Sequence, residues 1–133
     1  MNLCEVCGKK ADKHHIIYKS QGGIDYPLNY KYLCPNHHRG KHGPHKNIKI
    51  DLEYKLELQN KLTDILNNEY YSAEDLAVIL DISRSRLKKI LRYSKLYKEG
   101  YKSSDVIYIL MGRRIYDEYM LEDLELESLL ANF

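Results

Sequence analysis

The chain has 133 residues, 30% of them charged and 44% hydrophobic. That length suits one compact domain or two small ones, and no run comes near the roughly 18 consecutive apolar residues of a membrane-spanning helix. The net charge of +2 does not by itself point to nucleic acid. Its distribution is more telling. Residues 1–50 carry nine Lys/Arg against three Asp/Glu, and residues 83–114 ten against two. Residues 51–82 carry two against eight, and residues 115–133 none against six. The two basic blocks are candidate phosphate-facing surfaces. All three cysteines and all six histidines lie between positions 4 and 45, so the N-terminal third has the composition of a metal-binding unit.

In chain order, Cys4 and Cys7 form a CxxC knuckle, and Cys34 and His37 a CxxH knuckle further on. Three thiolates and an imidazole make a tetrahedral zinc set. In so short and polar a stretch, zinc would supply folding free energy directly. A redox CxxC is the alternative, but it wants a βαβ pattern that is missing here and leaves Cys34 unexplained. Met1 runs almost directly into this knuckle, which leaves no room for a signal peptide. With the odd cysteine count, that sets an expectation of a reducing cytoplasm.

Residues 14–19 (HHIIYK) read as a strand. Gly22, Gly23 and Pro27 mark a loop, and residues 31–34 (KYLC) read as a second, antiparallel strand. The run from Asn36 to Lys46 is too rich in Gly, His and Pro for an ordinary helix and reads as a metal-binding loop or broken turn. Five histidines remain beyond the zinc set: His14, His15, His38, His42 and His45. His14 and His15 are adjacent, so on a strand they point to opposite faces. If His14 binds a metal, His15 can stand beside it with a free nitrogen, as a general base requires.

Asp51 reads as the N-cap of a helix with Leu52, Leu56, Leu58, Leu62, Ile65 and Leu66 on its apolar face, ended by Asn67 and Asn68. Ser72 caps a short helix carrying Leu76, Ala77, Ile79 and Leu80. Asp81-Ile82-Ser83 breaks it, and residues 84–93 (RSRLKKILRY) form a second helix with Leu87, Ile90 and Leu91 inward. A basic exposed face on the second of two short helices resembles a helix-turn-helix of the excisionase-like type. A further helix is expected over VIYILMGRRI, residues 106–115. The tail from residue 116 is acidic and amphipathic, with Tyr119, Leu121, Leu124, Leu129 and Leu130 available to cover the helical unit, to form a homodimer contact, or to meet another protein.

The N-terminal third resembles the HNH endonuclease family, the ββα-metal nuclease fold, in its zinc-stapled form. The residues that carry the resemblance are the CxxC pair, His14-His15-Ile16, Gly22-Gly23, Asn29, and the run from Leu33 to Gly40 (LCPNHHRG). Small phage proteins of this family carry a similar HHRG…GPH run, and this implies a phage or mobile-element source acting in the bacterial cytoplasm. The resemblance implies His14 and His38 as ligands of a catalytic divalent cation (Mg2+, Mn2+ or Zn2+). It implies His15 as the general base and Asn29 as the residue that fixes the loop and the base. His42 matches an extra ligand at i+4 in colicin-type members, and His45 matches the histidine of the GPH run; the balance falls slightly toward His45.

The expected fold class is therefore α+β: a small zinc-stapled ββα-metal module over 1–50, then an all-α helix-turn-helix-like domain. Residues 51–70 complete or link the module, 71–115 form the helix-turn-helix-like unit, and 116–133 the tail. The expected function is metal-dependent hydrolysis of phosphodiesters in double-stranded DNA, with no membrane association. Arg84, Ser85, Arg86, Lys88, Lys89 and Arg92 of the second helix, together with Arg39, would contact DNA. The alternative is a zinc-containing DNA-binding regulator or adaptor whose HNH site is inactive.

Overall fold

The computed structural model describes residues 2–132. An antiparallel hairpin, β1 (Asp12–His15) and β2 (Tyr30–Leu33), opens the fold, with Asp12 opposite Leu33 and His15 opposite Tyr30. The first strand ends at His15, not at Lys19. Asn29 is the reason. Its main-chain carbonyl takes the Ile16 amide at 2.9 Å, and its side-chain oxygen takes the Ile17 amide at 2.8 Å. Its side-chain amide donates to the carbonyls of Ile17 and Ile24. One buried carboxamide thus replaces the next rungs of the ladder, and the chain turns away over residues 18–23.

A single helical turn, α1 (Pro35–His38), follows β2. Proline suits this start, because the first helical residue needs no amide partner. The long helix α2 spans Ile48–Ile65, beginning one turn before the expected Asp51. Asn47 is the cap: its side chain accepts from the amides of Lys49 and Ile50, a geometry that removes two of the four orphan donors at a helix start. Asp51, released from capping, accepts instead from the Tyr18 hydroxyl at 2.8 Å and from Lys55 Nζ at 2.7 Å.

The second half contains α3 (Ala73–Leu80) and α4 (Arg84–Ile90). They are capped by Ser72 and Ser83, whose hydroxyls accept from Asp75 and Arg86 amides. Asp81 at the turn adopts a left-handed conformation (φ 54°). Three short strands, β3 (Tyr70–Tyr71), β4 (Leu96–Tyr97) and β5 (Gly100–Lys102), form a sheet in the order β3-β5-β4. The second half is thus not purely helical. Strands of two or three residues are too short to show a period of two in a sequence. Helix α5 (Ser103–Leu110) starts earlier than expected and also ends sooner, the end being set where Gly112 and Arg113 take positive φ. Helix α6 (Glu118–Leu130), capped by Asp117, rests Met120, Leu121 and Leu124 on the core and leaves Tyr119, Leu129 and Leu130 exposed.

One apolar core runs through both halves. Ile16, Ile17 and Tyr26 from the hairpin region join Leu52, Leu58 and Leu62 of α2 and Leu76, Leu87, Val106 and Leu110 of the later helices. A small separate cluster of Cys4, Leu33 and Cys34 backs the first knuckle. Among the described residues, no helix is long and apolar enough to cross a membrane.

Candidate metal centres and active-site cleft

Two ligand groups form around the hairpin. Cys4, Cys7, Cys34 and His37 converge with their donor atoms within 4.8 Å of one another. Cys7 Sγ lies 3.6 Å from Cys34 Sγ, and His37 Nδ1 lies 3.2 Å from Cys34 Sγ and 3.7 Å from Cys4 Sγ. A tetrahedron with Zn–S bonds of about 2.3 Å has edges of about 3.8 Å, so the four donors fit zinc. Burial pushes the Cys4 thiol up, but backbone hydrogen bonds from Cys34, Cys7 and Val6 outweigh it and bring its pKa down to about 6, which favours the thiolate a metal needs.

The second group is His14, His38 and His45. His14 comes from β1 and His38 from the end of α1. The Gly43 turn supplies His45: Gly43 packs so close to α1 that a Cβ there would lie 2.3 Å from the His38 carbonyl oxygen. The chain folds back across α1 and sets His45 Nε2 3.0 Å from His38 Nε2. His42, on the outer side of the same turn, is exposed and stands outside both groups. Adjacent residues on a helix diverge by about 100°, so α1 sends His37 to one group and His38 to the other.

This second group also fits a metal. His14 is only 2% exposed, and its Nε2 is buried with no hydrogen-bond partner. An orphaned buried polar atom costs about 1–3 kcal/mol, and a cation held there would satisfy it. Burial, then the neighbouring imidazoles of His38, His45 and His15 and the Lys55 ammonium, lower the His14 pKa to about 3. His38 and His45 are lowered as well, first by burial and then by nearby cations and rings. All three therefore stand neutral at neutral pH with a lone pair to donate. Tyr18 stacks on His45 with ring centroids 5.3 Å apart, and its hydroxyl is anchored on Asp51. The buried Lys55 bonds the same carboxylate and lies 4.7 Å from the centre of the Tyr18 ring.

The three imidazoles open into a cleft of about 190 Å³ that also holds His15, with Lys13, Lys19 and Arg39 on its walls. Three cations around neutral ligands give the positive field a phosphate requires. A larger groove of about 530 Å³ between α2 and α6 is lined by Glu53, Glu57, Asp64, Glu118, Glu122 and Glu125, a charge that repels phosphate. His15 is half-buried and donates from Nε2 to Asp25 Oδ1 at 2.6 Å. The same carboxylate receives the Tyr30 hydroxyl at 3.3 Å and lies 3.4 Å from Lys19 Nζ. The His15 hydrogen bond, then Lys19, holds the Asp25 pKa at about 2. Asn29 is fully buried and bonded to the main chain of Ile17 and Ile24, so it shapes the loop and does not reach into the cleft as a ligand.

Of the residues expected to face DNA, Ser85, Lys88, Lys89 and Arg92 are exposed on and just beyond α4. Arg84 pairs with Glu74 across the helical turn. Arg86 reaches back to the hairpin region and donates to the Asp25 carbonyl at 2.5 Å. Asp25, Tyr18, Asp51 and Lys55 were not singled out from the sequence as site residues. Asp25 carried one signal: it is the sole carboxylate between Lys13 and Ile50.

Residues 4–43 match the family model described as HNH endonuclease. No curated relative and no solved structure matches the chain.

Proposed function

We propose that this chain, whose N-terminal residues 4–43 form an HNH endonuclease domain, is a metal-dependent DNA endonuclease that a helix-turn-helix unit helps to place on double-stranded DNA. The single observation that carries the reading is the buried, partnerless His14 Nε2, grouped with His38 and His45 in the cleft that holds His15. A divalent cation held by those three imidazoles would polarise the scissile phosphate and stabilise the leaving oxygen. His15, hydrogen-bonded through Nε2, keeps Nδ1 as a proton acceptor for the attacking water. Lys13, Lys19 and Arg39 draw the phosphate backbone into the cleft. Asn29 holds the loop on which these groups depend. Lys88, Lys89 and Arg92 on the exposed side of α4 add phosphate or base contacts.

Three imidazoles suit Zn2+ and other borderline transition ions; hard Mg2+ prefers oxygen ligands. The Cys4/Cys7/Cys34/His37 set takes structural zinc. The test is plasmid nicking with Mg2+, Mn2+, Zn2+ or EDTA, on the wild type beside His15→Ala. Nicking that depends on a transition ion and is lost in the variant supports the reading. A wild type that binds DNA but nicks with no cation sinks it and favours a regulator or adaptor with an idle site.

A further inference from the structure

The two halves of the molecule meet at the loop that carries Asp25. On one side, Asp25 Oδ1 accepts from His15 Nε2 at 2.6 Å and from Tyr30. On the other, its main-chain carbonyl accepts from Arg86 of α4, a residue 61 positions later, at 2.5 Å. The back of the same loop is also held. A Cβ on Gly112 would lie 2.2 Å from the Gln21 carbonyl oxygen and 3.2 Å from Ile17 Cγ2. Ile17 and Tyr26 are buried in the core shared with Leu76, Leu87 and Leu91. The loop is thus clamped between the hairpin and the helix-turn-helix unit. Bidentate readout of a base edge needs two donors on one edge of the guanidinium, and both such edges of Arg86 include Nη2, which already donates to the Asp25 carbonyl.

We propose that Asp25 is the positioning residue for His15 and that Arg86 ties it to α4, so the helix-turn-helix unit buttresses the catalytic base. The proposal rests on the reading of His15 as that base. A neutral imidazole that donates Nε2–H to a carboxylate presents its lone pair at Nδ1. When Nδ1 takes a proton from water, the ring becomes an imidazolium facing the Asp25 carboxylate, which stabilises it without itself being protonated. The carboxylate also stops the ring from rotating, which keeps Nδ1 as its free nitrogen beside the cleft that His15 lines. Arg86 acts one step further out, on the backbone that places the carboxylate.

The experiment uses the full chain with zinc bound and measures nicking at varied DNA concentration. Asp25→Ala and Arg86→Ala should each lower kcat about tenfold or more and leave KM for DNA unchanged. Arg86→Lys, which keeps a donor for the carbonyl, should recover part of kcat. Lys89→Ala should raise KM alone. The Asp25 side chain is 47% exposed and Arg86 is exposed, so neither change removes core packing, and thermal melts should match the wild type. A rise in KM with unchanged kcat for Arg86→Ala would make Arg86 a DNA reader and overturn the proposal. A second readout does not need activity: 15N NMR of the His15 ring should show the Nε2–H tautomer in the wild type and a mixed tautomer in Asp25→Ala. An unchanged ring spectrum would also overturn it. Wild type that nicks under no cation defeats the nuclease reading instead, and the ring spectrum still decides whether Asp25 holds His15.

Discussion

The two ligand groups grow around the same hairpin and share the same short helix, yet their donor sets differ. Cys4, Cys7, Cys34 and His37 offer four donors, three of them cysteine sulfurs, with two of the cysteines backed by Leu33 in their own small cluster. Four protein ligands close a zinc site. His14, His38 and His45 offer three neutral donors and open into a cleft walled by Lys13, Lys19 and Arg39. Three protein ligands leave a position for water or substrate. Under the proposed function, the number of donors, more than the identity of any one of them, separates a staple from a reactive centre. Variants on either side of this contrast can break it.

Loss of the closed group should have the largest effect. Cys34→Ser removes a donor from a zinc whose binding free energy is folding free energy, and the cooperative thermal transition should be lost or shifted far down. A Cys34→Ser protein that melts like the wild type would remove the staple. Next comes the open group. His14→Ala should abolish binding of the second metal, read by calorimetric titration, and reduce nicking by at least about a hundredfold, while one zinc stays bound per chain by metal analysis. Unchanged second-site affinity would show that the three imidazoles are not ligands.

A smaller effect follows from acid. In protein carrying one equivalent of zinc, the His14 imidazole is held neutral in the folded state down to about pH 3. The unfolded chain protonates it near its ordinary pKa of about 6.5. Between those values the unfolded state binds more protons, so stability falls as pH falls through that window and rises as pH increases. Melting temperatures from pH 6.5 downward should decline for the wild type and decline less for His14→Asn; equal slopes would assign the acid sensitivity elsewhere. The smallest effect is expected for His42→Ala. This exposed residue lies outside both groups, and nicking, metal content and melting should all stay at wild-type values.

Much of this arrangement can be read along the chain. CxxC and CxxH are local spacings, and each knuckle puts its two donors together whatever the rest of the fold does. The Ser72 cap and the apolar spacing of Leu76, Leu80, Leu87 and Leu91 are also local, because hydrogen-bonding and helical periods act over a few residues. The same locality misled at the start of α2. Asp51 and Asn47 are both good caps, and the choice between them depends on Tyr18 and Lys55, which claim the Asp51 carboxylate across the fold.

What the sequence alone determined was the chemistry available: three thiols, six imidazoles, two basic blocks, and a core made from leucine stripes. Tertiary structure alone decided which of these meet. His45 joins His38 and His42 does not because Gly43 lets the backbone pass within contact distance of the His38 carbonyl. The end of β1 is set by Asn29, fourteen residues beyond His15, bonding to Ile17. Asp25 stands beside His15, and Arg86 turns back to Asp25, because one shared core packs α3 and α4 against the hairpin loop. Side-chain type and short-range spacing travel with the chain; contacts between distant residues exist only once apolar burial has chosen how its segments stack.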